Sequence, residues 1–283
     1  MLKIFQRKKK NECKDELASH LGDFELPSFS ASTIKILELI RDPDSDLDDV
    51  SEAMQTSPAI MIKVLQLVNS AAFGSQHSIS NINHAACMLG RARLESTVLG
   101  VVVKENLPQP KGGRFDTNRF WRSALRRAVL AKRLAEILHP AVSTEAFTMG
   151  LLQDMGVQVL AASRTSEYDP ILEEWLEDET LSNSLESVEQ EMLGTTHAEV
   201  GQLLGNFWEM PDDMLKAIGD HHGTDDVLPA LQLVSLLREG EHEQEIEMIL
   251  ERAEADFGID RDQMKLMIAE AFEEAAELET MMR

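Results

Sequence analysis

The sequence predicts an all-α fold. Apolar residues recur along the chain at the spacing of a helix, and almost no stretch alternates with the two-residue period of a strand. Hydrophobic residues make up 43% of the 283 residues and aromatic residues only 5%. A composition in which Leu, Ile, Met and Ala dominate favours helix over sheet. A chain of this length accommodates one large domain or two small ones.

In the first half of the chain, capping residues and prolines mark the helices. Ser45 or Asp46 is expected to cap one helix. Ser57 is expected to cap the next, with Pro58 at its first position, where a missing N–H does no harm. The helical stretch that follows is expected to break near Gly90, because glycine weakens a helix interior.

The second half shows the same signals. Helices are predicted to begin at Asp116 or Thr117, Ser143 or Thr144, Thr195 or Thr196, Pro211, Pro229 and Asp260. The helix that begins at 143 or 144 is expected to continue towards Gly156.

A linker rich in proline and glycine, residues 108–113, suggests the main division of the chain. We predict an N-terminal helical subdomain over residues 15–110 and a second helical bundle over 114–240. Residues 1–14 are interpreted as a basic tail. Residues 241–283 hold 14 Asp and Glu against 4 Lys and Arg and are predicted to be acidic helices. These helices either complete the bundle or extend from it as an arm.

Charge and composition exclude several classes of function. A net charge of −23 argues against binding nucleic acid over the whole surface. The two cysteines, Cys13 and Cys87, provide no disulfide framework and fit a reducing cytosol. No apolar stretch reaches the roughly 18–20 residues that a membrane span needs. We therefore expect a cytoplasmic protein without an integral membrane segment.

An ordered set of short motifs covers about residues 20–240. The set comprises Leu26-Pro27, Asp42-Pro43, Ser57-Pro58-Ala59, the run from Val68 to Gly74, the run from Ala85 to Gly90, Phe120-Trp121-Arg122-Ser123, the run from Gly150 to Gly156, the run from His197 to Gly201, and His221-His222. Read in order, these residues resemble the HDOD domain, the HD-related output domain of bacterial signalling proteins.

The resemblance implies an all-helical fold related to the HD-domain metal phosphohydrolases, with the N-terminal subdomain packed on an HD-like bundle. It also implies a regulatory module that acts through protein–protein contact, in cyclic-nucleotide or two-component pathways. The signalling partners and the oligomeric state stay unknown, and no cofactor is expected.

The chain departs from the metal-binding pattern of the HD enzymes. Arg122 falls at the early His position, Gln153 replaces the His of the His-Asp pair, and the late Asp position aligns with Arg238. A guanidinium stays protonated and cannot ligate a metal. The resulting degenerate site consists of Arg122, Gln153, Asp154, His197, His221 and His222.

Two interpretations of this degenerate site follow. In the first, Asp154 pairs with Arg122 or caps a backbone group, the histidines pack, and no metal or catalysis is expected. In the second, Asp154, His197, His221 and His222 retain a weak metal site and a residual phosphohydrolase activity.

A reversal of charge marks residues 114–133, which hold seven Lys and Arg against one acid. Arg119, Arg122 and Arg126 lie near one helical face and could form a phosphate or nucleotide pocket over the degenerate site. The simpler interpretation is salt bridging to the acidic stretch 163–194. An anion-sensing function, for phosphate or a nucleotide, is therefore an alternative to the regulatory function.

The most specific motif carries no obvious catalytic group. Asn69 and Ser70 lie at a predicted helix end, where their side chains can satisfy unpaired backbone groups. We interpret them as structural and, together with Phe73 and Gly74, as the family-motif surface.

Overall fold

The computed structural model describes residues 2–22, 24–73, 78–177, 184–223, 227–238 and 242–281. Within these ranges every regular element is a helix, as the periodicity predicts. The helices of the first half are α1 (Leu2–Leu21), α2 (Ala31–Arg41), α3 (Leu47–Gln55), α4 (Pro58–Val68) and α5 (Ile82–Asn106), with a 3₁₀ turn at Ala71–Phe73.

The helices of the second half begin with a long one. They are α6 (Thr117–Leu138), α7 (Ser143–Leu152), α8 (Met155–Ser163), α9 (Thr165–Glu177), α10 (Leu185–Leu193), α11 (His197–Phe207), α12 (Asp212–Gly219), α13 (Pro229–Val234), α14 (Glu243–Phe257) and α15 (Arg261–Met281), with a 3₁₀ turn at Pro140–Val142.

Local sequence accounts for several of these boundaries. Asp46 caps α3 in a capping box, and the Asp116 side chain accepts from two backbone N–H groups at the start of α6. Ser57 holds the N-cap position of α4, with Pro58 after it, but its side chain makes no capping hydrogen bond. The expected break in α5 occurs at Gly90, whose φ of 72° interrupts the helix.

The N-terminal segment is helical from residue 2 onward, so residues 2–14, interpreted as a basic tail, form most of α1. Cys13, Leu17 and Leu21 follow one another at four-residue spacing and are buried. This four-residue spacing of buried residues indicates that the N-terminal segment is helical. Helix α1 packs on α11, and so it connects the two halves of the chain.

One continuous hydrophobic core includes residues from both sides of the linker. An example of this continuity is Trp208, whose Nε1 donates to the Pro27 carbonyl at 2.9 Å and whose ring stacks on Phe29 at 4.8 Å. The division at residues 108–113 stays a prediction.

The acidic C-terminal helices pack on the domain. Helix α15 lies along α6 and buries one apolar face, formed by Met264, Met267, Ile268, Ala271, Ala275 and Leu278. Arg133 of α6 bonds to Glu270 and to Glu274, each at 2.5 Å. Of the two arrangements left open by the sequence, the structure shows the one in which α15 completes the bundle.

None of the described helices combines the length and the apolar composition that crossing a membrane requires.

Candidate functional site: an aspartate and histidine cluster

A helix break creates the site. The sequence predicts one helix that continues towards Gly156, but the structure ends α7 at Leu152 and begins α8 at Met155, which leaves Asp154 at the junction. At Gly156 the backbones of α8 and α11 touch, because a Cβ there would lie 1.9 Å from the His197 carbonyl oxygen. This close approach brings Asp154 and His197 together.

The site is a cluster of four polar side chains from three parts of the chain, Asp154, His197, His221 and His222. Their potential ligand atoms all lie within 4.8 Å of one another. His197 Nε2 lies 3.3 Å from His221 Nε2 and 3.2 Å from His222 Nε2. Asp154 Oδ1 lies 3.0 Å from His221 Nε2. The structure therefore brings together four of the six residues of the predicted degenerate site.

Contacts outside the cluster fix two of the imidazoles. His197 Nδ1 donates to Glu189 Oε2 at 2.7 Å, and the same oxygen accepts from the His197 backbone N–H at 2.7 Å. His221 Nδ1 donates to the Ile218 carbonyl at 2.8 Å. Because both Nδ1 atoms are engaged, the Nε2 atoms of these two rings are directed into the cluster.

Glu189 and its second partner, Tyr168, were missed by sequence reasoning. Both side chains are fully buried, and the Tyr168 hydroxyl donates to Glu189 Oε1. Glu189 lies in the acidic stretch that we interpreted as a partner of the basic helix. The available signal was its spacing, because it follows Leu185 by four residues and therefore lies on the apolar face of α10.

Arg127 is the cation of the cluster. Its side chain is 4% exposed, and its Nη2 lies 2.8 Å from Asp154 Oδ2. Its Nη1 donates to Ser123 Oγ and to the Leu237 carbonyl, each at 3.0 Å. The guanidinium is thus fixed by a side chain of α6 and by a backbone carbonyl of the segment that follows α13.

The predicted pairing of Asp154 with Arg122 is wrong. Arg122 Nε instead lies 3.2 Å from Glu279 Oε2 of α15, and its side chain is 39% exposed. Residues five apart on an α-helix differ by about 140° in direction, so Arg122 and Arg127 face different neighbours. The arginine that pairs with Asp154 is therefore Arg127.

The charges in the cluster stabilise each other. Burial alone would raise the pKa of Asp154, but the Arg127 guanidinium and His221 hold it well below its ordinary value. Burial lowers the pKa of His197, but Glu189 and Asp154 more than offset this and raise it to about 9. Burial and the neighbouring His221 and His197 lower the pKa of His222 to about 2.

The fold family implies a divalent metal, and the cluster fits the metal centre of a hydrolase poorly. The three imidazoles and Asp154 are metal-binding groups. However, buried Gln153 stands at the position that the resemblance assigns to a histidine of the HD enzymes. Arg127 also brings a permanent positive charge to the only carboxylate among these groups. A fixed guanidinium repels a divalent cation. The Asp154 carboxylate is neutralised by the chain itself.

The predicted anion-binding set does not come together. Arg119 lines a cavity beside the cluster, whereas Arg126 lies over the Phe272 ring of α15 at 4.9 Å and Arg122 pairs with Glu279. Arg238 is also at the cavity and donates to the Trp175 carbonyl at 2.9 Å.

Among the described residues, the basic helix forms most of its salt bridges with a different partner from the one predicted. Arg122 and Arg133 bond to acids of α15. Arg114, which precedes α6, reaches the acidic stretch 163–194, through Glu173 at 2.5 Å. The sequence showed the charge complementarity but could not show that α15 lies alongside α6.

The family-motif residues make structural hydrogen bonds. Asn69 Nδ2 donates to the Leu65 and Ile79 carbonyls, and Asn69 Oδ1 accepts from the Ile79 backbone N–H at 2.6 Å. Buried Ser70 donates to the Leu67 carbonyl. Phe73 makes an edge contact with the Phe147 ring. Gly74 lies outside the described residues.

Comparison with known proteins identifies the class that this fold and cluster define. Residues 26–224 match the HDOD domain family, and the chain belongs to that family. An uncharacterized protein from Treponema pallidum (strain Nichols) is 26% identical over 211 residues, which is 73% of this chain. The chain spans only 40% of the length of that relative.

Solved structures share the fold. A "Putative phosphohydrolase" from Shewanella amazonensis SB2B has a TM-score of 0.73 at 20% identity, covering 94% of this chain and 98% of that one. An HDOD domain protein with unknown function from Geobacter sulfurreducens has a TM-score of 0.66 at 19% identity, covering 98% and 97%. A "Putative signal transduction protein" from Marinobacter aquaeolei VT8 has a TM-score of 0.69 at 17% identity, covering 97% and 66%.

Proposed function

We propose that this chain is a non-catalytic signal-transduction module that acts through contacts with other proteins. The observation that carries the proposal is the ion pair between Arg127 and Asp154, 2.8 Å apart and largely shielded from water. The chain places its own cation on the carboxylate that related hydrolases use to hold a metal ion. Membership of the HDOD family and the likeness in fold to a protein described as acting in signal transduction support the regulatory role.

Metal-dependent phosphate ester hydrolysis needs an ion that activates water and neutralises charge on the phosphate. The contacts of Arg127 with Ser123 and Leu237 hold its guanidinium in place. An incoming divalent ion would therefore have to bind beside a fixed positive charge. This electrostatic cost favours a non-catalytic function.

The proposal is tested by assaying the purified chain on p-nitrophenyl phosphate and bis(p-nitrophenyl) phosphate with Mg²⁺, Mn²⁺ or Zn²⁺. We expect the wild-type chain and Asp154→Asn to give the same background rate. Turnover by the wild-type chain that disappears in Asp154→Asn would overturn the proposal.

A residual metal-dependent phosphohydrolase is the second candidate. The convergence of the Nε2 atoms of His197, His221 and His222 favours it, as does the contact of Glu189 with His197, since a carboxylate behind a histidine is common at metal sites. Metal content and turnover that are both lost in Asp154→Asn would distinguish this candidate from the first.

A further inference from the structure

A cavity of about 240 Å³ opens beside the cluster. Arg127, Asp154, His197 and His222 line the side that faces the cluster. Helices α6, α9, α10 and α14 and the segments 114–116 and 235–238 contribute most of the rest. This volume lies just below the roughly 300–1,000 Å³ of sites for drug-sized ligands. The cavity therefore suits a ligand of mononucleotide size or smaller.

The charge of the lining favours an anion. Among the residues that the structure describes, four arginines and two aspartates line the cavity; the arginines are Arg114, Arg119, Arg127 and Arg238. Both aspartates and several of the arginines already have partners in the chain. Asp116 accepts hydrogen bonds from backbone N–H groups at the start of α6, Asp154 pairs with Arg127, and Arg114 pairs with Glu173. In a chain of net charge −23, this is a local concentration of positive charge. Arginine binds phosphate and carboxylate groups through paired hydrogen bonds.

The remaining walls are aromatic and aliphatic. Phe115 and Phe120 pack together with ring centroids 5.3 Å apart, and Trp175 lies opposite a cation, with the Arg238 guanidinium 5.0 Å from its ring. Leu172 and Leu185 add apolar surface. Such walls recognise a planar ring, whose burial contributes affinity that a free inorganic anion cannot obtain.

We propose that this cavity binds a small ring-bearing anion, with the ring between the aromatic walls and the phosphate or carboxylate group at the arginines, and that the bound ligand is the signal the module receives. The inference rests on the proposed signalling function. It departs from the anion site predicted from the sequence, because Arg122 and Arg126 face α15 and only Arg119 is shared.

Isothermal titration of the full chain tests the inference with five probes: AMP, 3′,5′-cyclic AMP, indole-3-acetate, adenosine and inorganic phosphate. We expect at least one ring-bearing anion to bind at least about tenfold more tightly than adenosine, which lacks the charge, and than phosphate, which lacks the ring. Binding of the nucleotides alone would identify the anion as a phosphate, and binding of indole-3-acetate alone would identify it as a carboxylate. Failure of all the ring-bearing anions to bind would overturn the inference.

Matched variants locate the binding. Arg119→Gln is expected to weaken binding about 10-fold or more, by loss of a charge-assisted hydrogen bond. Trp175→Leu is expected to reduce the preference for ring-bearing ligands. Arg126→Gln changes the same charge on the same helix outside the cavity and is expected to leave binding unchanged. Equal loss in Arg119→Gln and Arg126→Gln would contradict the assignment to this cavity.

Chromatography of the ligand after incubation with Mn²⁺ separates the two proposals. Bound ligand recovered intact supports both. A ligand that binds and is hydrolysed would overturn the non-catalytic function and leave the cavity assignment standing. Absence of binding together with absence of hydrolysis would overturn only the ligand inference.

Discussion

Arg127 Nη2 lies 2.8 Å from Asp154 Oδ2, with 4% and 17% of the two side chains exposed. Because a guanidinium keeps its proton at any ordinary pH, the pair gives the cluster a permanent cation. Asp154 Oδ1, the other oxygen of the same carboxylate, faces His221. Asp154 thus has a partner for each of its two oxygens.

Arg127→Gln is expected to lower the free energy of unfolding by about 3–5 kcal/mol, because it leaves the shielded Asp154 carboxylate without its cation. Urea denaturation measures the loss. Arg252→Gln, which breaks an exposed pair with Asp256, is the control and is expected to cost less than about 1 kcal/mol. Similar losses in the two variants would mean that the Arg127 pair contributes no more than an exposed one.

Tyr168→Phe is expected to lower the free energy of unfolding by about 1–3 kcal/mol, because it leaves a buried Glu189 oxygen without its donor. Ser19→Ala removes an exposed hydroxyl bonded to the Glu16 carbonyl and should change stability by less than about 0.5 kcal/mol. The same denaturation experiment compares them. A Tyr168→Phe protein as stable as Ser19→Ala would show that the hydrogen bond behind His197 is not needed.

Gly156→Ala is expected to destabilise the protein by about 2 kcal/mol or more, since its Cβ would overlap the His197 carbonyl and force α8 and α11 apart. The control is Gly100→Ala, whose Cβ would meet the nearest atom, a Thr148 methyl carbon, at 3.4 Å. Thermal unfolding monitored by circular dichroism compares the two. The contact between α8 and α11 is refuted if Gly156→Ala is tolerated as well as Gly100→Ala.

Ala271→Glu tests the packing of α15 on the domain. Ala271 is fully buried, so an added charge there is expected to cost at least about 3 kcal/mol. Leu266→Glu introduces the same side chain on the same helix at a position that is 60% exposed, and is expected to change stability by less than about 0.5 kcal/mol. Urea denaturation of both variants provides the comparison, and equal stability would mean that α15 does not pack as described.

The fold class followed from the sequence because helical periodicity and capping are local properties. The predicted caps are present at Asp46 and Asp116, and the predicted helix break is present at Gly90. The break before α8 was not predictable in the same way, because it depends on the contact of Gly156 with the His197 backbone, a residue far along the chain. The packing of α15 on α6 was not predictable either, because it too depends on a contact between distant parts of the chain.

The candidate site was only partly predictable. The motifs identified Asp154 and the three histidines, since these residue types stand at recognisable positions of the family pattern. The cation was assigned to Arg122 rather than Arg127, because a sequence alignment does not fix which of two nearby arginines faces inward. Glu189 was hidden within a run of acids, where burial rather than composition distinguishes it from its neighbours.

The central claim is that the Asp154 cluster is neutralised by Arg127 and does not retain a metal ion. The most direct test is elemental analysis of the purified chain after equilibration with Mn²⁺, Fe²⁺ or Zn²⁺ and dialysis, with Asp154→Asn as the control. We predict metal far below one ion per chain, equal in the two proteins. Close to one ion per wild-type chain, lost in Asp154→Asn, would contradict the account.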